Sequence, residues 1–185
     1  MKGIIFTEWG GINLAPLTNI CSEPLFPLGD IPVIDYLLKR LKLSGIDEVL
    51  IFLNNRTEDL ARHLGDGTGT GIRIDYVCQS LPLGRGGAMR EAAEFLDNKP
   101  FLLVDSSAVI DFDLLNLIDF HAEMGSSLTI GTKGETSSGI DLLGNGRLMH
   151  IRPGDIGFRG CGIYVIDPVI INFTSGSGYL DIEDQ

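Results

Sequence analysis

Apolar residues recur along the chain in two rhythms. In GIIF (3–6), EVLIFL (48–53) and FLLV (101–104) nearly every position is apolar, which predicts strands buried on both faces. IRIDYV (72–77) alternates and predicts a further strand, and SLTIGT (127–132) another. Between them the spacing becomes helical. VIDYLLKRLKLSG (33–45) sets Ile34, Leu37, Leu38 and Leu41 on one face and stops at Gly45. TEDLARHLG (57–65) opens on Thr57, carries acids in its first turn and closes at Gly65. GGAMREAAEFLD (86–97) and FDLLNLIDFHAEMG (112–125) predict two more helices, the second capped by Asp111 or Asp113. DGTGTG (66–71) reads as a helix-to-strand loop.

Strand and helix alternate through residue 132. That order predicts an α/β fold, Rossmann-like and doubly wound, with a mostly parallel sheet covered on both faces. Residues 133–166 change to short strands and turns, with GNGR (144–147) as a hairpin signal and CGIYVI (161–166) as a strand. These are the expected antiparallel additions. No linker or internal repeat divides the chain, so residues 1–185 are expected to form a single domain. LDIEDQ at the end resembles the first turn of a helix, which suggests that the native chain continues past Gln185.

Composition narrows the possible partners. The chain is 44% hydrophobic, and 25 Asp and Glu against 14 Lys and Arg give a net charge of −11. With no basic run, it is expected to bind neither nucleic acid nor an anionic membrane. Cys21, Cys78 and Cys161 are far apart, and the three His are scattered, so no metal-ligand spacing exists. Reduced thiols, no signal-peptide pattern and no apolar run long enough to span a bilayer point to a cytoplasmic protein.

In a doubly wound sheet, ligands bind beyond the C-terminal ends of the strands. TEWGGIN (7–13) follows the first strand: Gly10 and Gly11 permit a tight turn, but Glu8 repels phosphate and Trp9 fills the space its amides need. QSLPLGRGGAM (79–89) follows the third and leads into a helix N-terminus, a candidate anion- or base-binding turn. DSS (105–107) follows the fourth, where metal-dependent phosphoryl chemistry would place a carboxylate.

Taken in order, MKGIIFTEWGGINLAPLTNICSEPLFPLGDIPVIDY, GIDEVLIFL, HLGDGTGTGIRIDYVCQ, LPLGRGGAMREAAEFL, FLLVDSS and CGIYVIDP resemble the sugar-phosphate nucleotidyltransferases, the NDP-sugar pyrophosphorylases. The likeness covers almost the whole chain. It implies the nucleotide-diphospho-sugar transferase fold and a reaction of NTP with sugar 1-phosphate giving NDP-sugar and pyrophosphate, with Mg²⁺ if the chain is active. It also implies nucleotide binding by Gly10, Gly11, Gln79, Gly84, Gly86 and Gly87, with Gln79 and Gly84 reading the base. Arg152 and Gly162 stand at sugar-binding positions.

The departures fall on the chemistry. The family's phosphate-facing arginine is Asn13, its catalytic lysine is Glu23 and its metal-binding aspartate is Ser107. Those positions sum to +1 in the family and −1 here. Phosphoryl transfer rests on positioning and on cations that neutralise developing charge, and losing one such group costs ~10²–10³ in rate. Asp105 is a substitute metal ligand only if an ion sits ~6.6 Å further back along the strand. In the plainer reading Asp105 and Asp111 cap neighbouring backbone, and Arg85 and Arg152 are solvated.

The expectation is therefore a catalytically impaired nucleotidyltransferase-fold domain that binds a nucleotide or NDP-sugar or serves as a regulatory subunit. It resembles the non-catalytic subunits among GDP-mannose pyrophosphorylases and translation-initiation exchange factors, with a homo-oligomer or a hetero-subunit partner. An active sugar-1-phosphate nucleotidyltransferase and a ligand-free interaction scaffold are the alternatives.

Overall fold

The structure, a computed structural model, describes residues 1–7, 14–136, 139–142, 148–152, 157–174 and 178–180. In chain order the elements are β1 (Lys2–Phe6), β2 (Pro27–Leu28), β3 (Ile31–Pro32), α1 (Val33–Leu43), β4 (Glu48–Leu53), α2 (Glu58–Leu64), β5 (Arg73–Cys78), α3 (Gly84–Glu91) and β6 (Phe101–Asp105). They continue with α4 (Leu114–Met124), β7 (Leu128–Thr136), β8 (Gly139–Leu142), β9 (Leu148–Arg152) and β10 (Gly157–Ile166). Short 3₁₀ turns span Leu17–Asn19, Glu23–Leu25 and Pro168–Phe173.

Eight strands form one sheet in the order β5-β4-β1-β6-β10-β8-β9, with β7 also paired to β10. The pairs β5/β4, β4/β1 and β1/β6 are parallel. β10 runs antiparallel to β6 and β7, and the β8/β9 pair is antiparallel as well. This is the mixed, mostly parallel α/β sheet that the alternating elements predict. The small β2/β3 hairpin stands apart from it.

Continuous apolar strands are explained by two helical layers. Ile5, Ile51, Leu102, Val104 and Val165 face the layer holding α1, α2 and Leu114 of α4. Their neighbours Ile4, Phe6, Phe52, Leu103 and Tyr164 face α3. Consecutive residues of a strand point to opposite faces, so every position must be apolar when both faces are covered. Ile34, Leu37, Leu38 and Leu41, the predicted face of α1, are all fully buried. No helix of the described residues is long and apolar enough to cross a membrane.

Local chemistry sets several boundaries. Asp113, not Asp111, caps α4, accepting from the Leu115 amide at 3.0 Å. α3 begins two residues before its predicted start, at Gly84, and ends at Glu91 instead of continuing to Asp97. Beyond it Ala92 and Leu96 stay buried in turns, while Asp97 and Asn98 adopt positive φ and the Asp97 carboxylate meets Lys2 at 2.8 Å. β10 starts four residues before Cys161 because its early part pairs with β7 and β8. The loop predicted at 144–147 and residues 181–185 of the tail lie outside the described residues.

Candidate functional site

β1 lies between β4 and β6. The chain moves outward through β4 to β5, then returns to the other side of β1 as β6. This reversal opens a crevice beyond the C-terminal ends of β1 and β6, where doubly wound sheets take their ligands. Phe6 and Asp105 are register partners at its floor, and the Ser106 amide donates to the Phe6 carbonyl at 2.9 Å.

A buried polar knot closes one wall. The Thr7 hydroxyl donates to the Phe52 carbonyl at 2.6 Å, and the Asn54 side-chain amide reaches Thr7 Oγ1 at 3.3 Å. The Asn54 main-chain amide donates to Thr57 Oγ1 at 2.8 Å. All three residues are buried, so their polar groups need one another. The knot ties the exit of β1 to the exit of β4 and to the residue preceding α2. Sequence reasoning did not single out Asn54, and its only signal is a polar residue ending an apolar run.

The base-reading turn predicted at 79–84 follows β5. Gln79 is 7% exposed, and its Nε2 has no hydrogen-bond partner among the described residues. Its main-chain amide donates to the Leu53 carbonyl at 2.8 Å, which anchors the turn beside the end of β4. Gly84 begins α3 at φ +70°, a left-handed conformation that favours glycine. An unpaired buried amide donor costs ~1–3 kcal/mol, which a ligand carbonyl accepting from it would recover.

Gly86 and Gly87 have a packing role. Residues 178–180 cross the start of α3: the Leu180 amide donates to the Leu83 carbonyl at 2.9 Å, and the Gly86 amide donates to the Leu180 carbonyl at 2.8 Å. A Cβ on Gly86 would lie 2.7 Å from Leu180 Cδ2 and 2.9 Å from its carbonyl oxygen, and one on Gly87 would lie 2.6 Å from Leu83 Cβ. The absent side chains thus make room for this crossing segment and for the turn.

Arg85 is not solvated. Its side chain is 9% exposed and pairs with Asp105 through both carboxylate oxygens, Nε to Oδ1 at 3.1 Å and Nη2 to Oδ2 at 2.9 Å. The guanidinium carbon stands 5.7 Å from the Phe6 ring centroid and 6.0 Å from that of Tyr164. The Asp105 carboxylate thus meets a side-chain partner, an arginine that the sequence left to solvent. Gly162 of β10, at φ +68°, completes the contact, for a Cβ there would lie 2.2 Å from Asp105 Oδ2.

Glu8, Trp9, Gly10, Gly11 and Asn13 lie outside the described residues. Glu23 opens the 3₁₀ turn before β2, and Ser107 sits half-buried in the turn after β6. Arg152 ends β9, its side chain outside the description. A neutral hydroxyl at Ser107 and a carboxylate already bidentate to arginine do not fit Mg²⁺. No cluster of three or more His, Cys, Asp or Glu able to hold a metal occurs among the described residues.

An open groove of about 410 Å³ lies beside this region, between residues 18–22 and the start of α2. Ser22 donates its amide to Asp59 Oδ2 at 2.8 Å, which ties the segment carrying Glu23 to α2.

The fold and crevice define an α/β protein of the kind that holds nucleotides at a strand-order switch. Residues 2–138 match the family model described as "Nucleotidyl transferase", and the chain belongs to that family. It is 30% identical over 130 residues to a mannose-1-phosphate guanylyltransferase of Mycobacterium tuberculosis, an alignment covering 70% of this chain and 36% of that protein. It is 25% identical to a UTP–glucose-1-phosphate uridylyltransferase of Synechocystis, over 97% of this chain and 52% of that protein. The chain thus spans about half the length of these relatives or less. A glucose-1-phosphate thymidylyltransferase structure from Bacillus anthracis, itself described as putative, superposes with a TM-score of 0.88 at 21% identity, covering 100% of this chain and 80% of that one.

Proposed function

We propose that this nucleotidyltransferase domain holds a nucleotide or NDP-sugar by its base and turns it over poorly, acting as a binding or regulatory subunit. The observation that carries the binding half is Gln79, a buried amide donor without a partner among the described residues, just after β5 in the turn that leads to left-handed Gly84. The impaired half is supported by Asn13, Glu23 and Ser107, which stand where the family's chemistry uses two cations and a metal-binding carboxylate. The engagement of Asp105 by Arg85 adds to it, since that carboxylate is the nearest substitute ligand in the sequence.

Incubation with Mg²⁺, each NTP and a panel of sugar 1-phosphates is expected to release pyrophosphate at no more than background. Robust release that survives Ser107→Ala overturns the impaired reading in favour of an active enzyme. Calorimetry with nucleotides and NDP-sugars is expected to show binding that Gln79→Ala weakens about 3- to 15-fold. No heat from any of them leaves the interaction scaffold.

A further inference from the structure

The turn from Gln79 to Gly84 leaves β5, and three anchors hold it. The Gln79 amide bonds the end of β4, and the Leu83 carbonyl and Gly86 amide bond Leu180. The third anchor is Arg85, the residue next to Gly84. It carries the turn across the switch point: β4 and β1 separate β5 from β6, yet Arg85 reaches Asp105 at the C-terminal end of β6. Its guanidinium passes over Phe6 of β1 and Tyr164 of β10.

The two partners fall within two of the motifs that carry the family resemblance. Asp105 opens the DSS that ends FLLVDSS, and Arg85 stands between Gly84 and Gly86 in LPLGRGGAMREAAEFL. The buried Arg85 guanidinium and the half-buried Asp105 carboxylate offset one another's charge. An arginine fork matched to a carboxylate is also directional in a way that apolar contact is not. Gly162 preserves the geometry by leaving the space beside Asp105 Oδ2 empty.

We propose that Arg85 and Asp105 are a positioning pair that fixes the base-reading turn against β6 and thereby sets how sharply the domain distinguishes one nucleobase from another. This rests on the reading of Gln79 and Gly84 as base contacts. A turn held in one conformation presents the Gln79 amide to a single pattern of base acceptors. A turn free to drift accepts several.

Two variants test the pair. Arg85→Met removes the cation that faces the half-buried Asp105 carboxylate and is expected to destabilise the protein. Arg85→Met/Asp105→Leu removes both charges and is expected to fold, since buried pairs replaced together by apolar residues are commonly tolerated. Amide hydrogen exchange on the ligand-free double variant is expected to accelerate about tenfold or more at residues 81–86, with Ile4 and Leu50 of the core unchanged. Exchange at 81–86 within about threefold of the parent protein overturns the proposal. Calorimetry with ADP, GDP, CDP and UDP supplies the second readout: the ratio between the tightest and weakest base is expected to shrink in the double variant. A ratio that holds while exchange rises overturns the link to base choice. If the parent protein binds none of the four, the nucleotide-site reading fails, and exchange still decides whether the pair positions the turn.

Discussion

Gly162 has no side chain because Asp105 leaves no space for one. At φ +68° any other residue is strained, and its Cβ would fall 2.2 Å from an oxygen that Arg85 holds in place. Gly162→Ala is expected to lose about 2–4 kcal/mol in denaturant unfolding, from left-handed backbone strain and overpacking together. In an Arg85→Met/Asp105→Ala background, which strands neither charge, Gly162→Ala should cost only the backbone part. A second residue-scale effect lies at His121, buried on α4, with Nδ1 2.8 Å from Thr129 Oγ1. Burial lowers its pKa, against a smaller opposing pull from Asp167. The unfolded chain therefore binds this proton more readily than the folded one. Stability is full above the ordinary value near 6.5 and declines as pH falls through it toward the lower folded value. Melting temperatures are expected to drop across that window, and to drop less in His121→Gln. Carboxylates held low by their partners, such as Asp47 beside Lys42 and Asp66 beside Thr68, weaken the fold only below about 3.8, so the two windows separate.

At the scale of elements, the start of α3 depends on the segment that crosses it. Gly86→Ala gains helix propensity, up to about 1 kcal/mol, but drives a methyl into Leu180. The expected outcome is a small net change in melting temperature together with faster amide exchange at Leu180 and Gly86 and faster proteolysis beyond residue 174. Unchanged exchange at both amides would show that Leu180 moves aside without losing its bonds. This region also marks the limit of what periodicity reveals. The strands and α1 were legible because burial on two faces or one leaves a direct trace: GIIF and EVLIFL are apolar throughout, and Ile34, Leu37, Leu38 and Leu41 recur at helical spacing. α3 was misplaced because its first turn, Gly84 to Gly87, is set by tertiary bonds to Leu180 and Asp105 rather than by propensity. Within the candidate site, the family likeness points to Gln79 and Gly84. The Arg85–Asp105 pair was not legible, because its partners stand twenty residues apart in different elements, and each alone reads as an ordinary polar residue.

Across the whole molecule, charge opposes the nucleotide of the proposed function. The chain carries −11, and positions 13 and 23, basic in the family, here hold Asn and Glu. In the proposed function, recognition rests on Gln79 and Gly84 while the phosphates meet a repulsive field. Two consequences follow for binding measured by calorimetry. An NDP-sugar, with less negative charge than the matching triphosphate, is expected to bind more tightly. Salt is expected to help the triphosphate: between about 50 mM and about 300 mM NaCl the Debye length shortens by more than half, the repulsion is screened, and affinity rises about two- to fivefold. The NDP-sugar should change less over the same range. A site built on arginine, lysine and a bound cation behaves in the opposite sense, losing phosphate affinity as salt rises. Triphosphate binding that weakens steeply with salt would therefore show that basic groups outside positions 13 and 23 face the phosphates, and the impaired reading would lose its electrostatic basis.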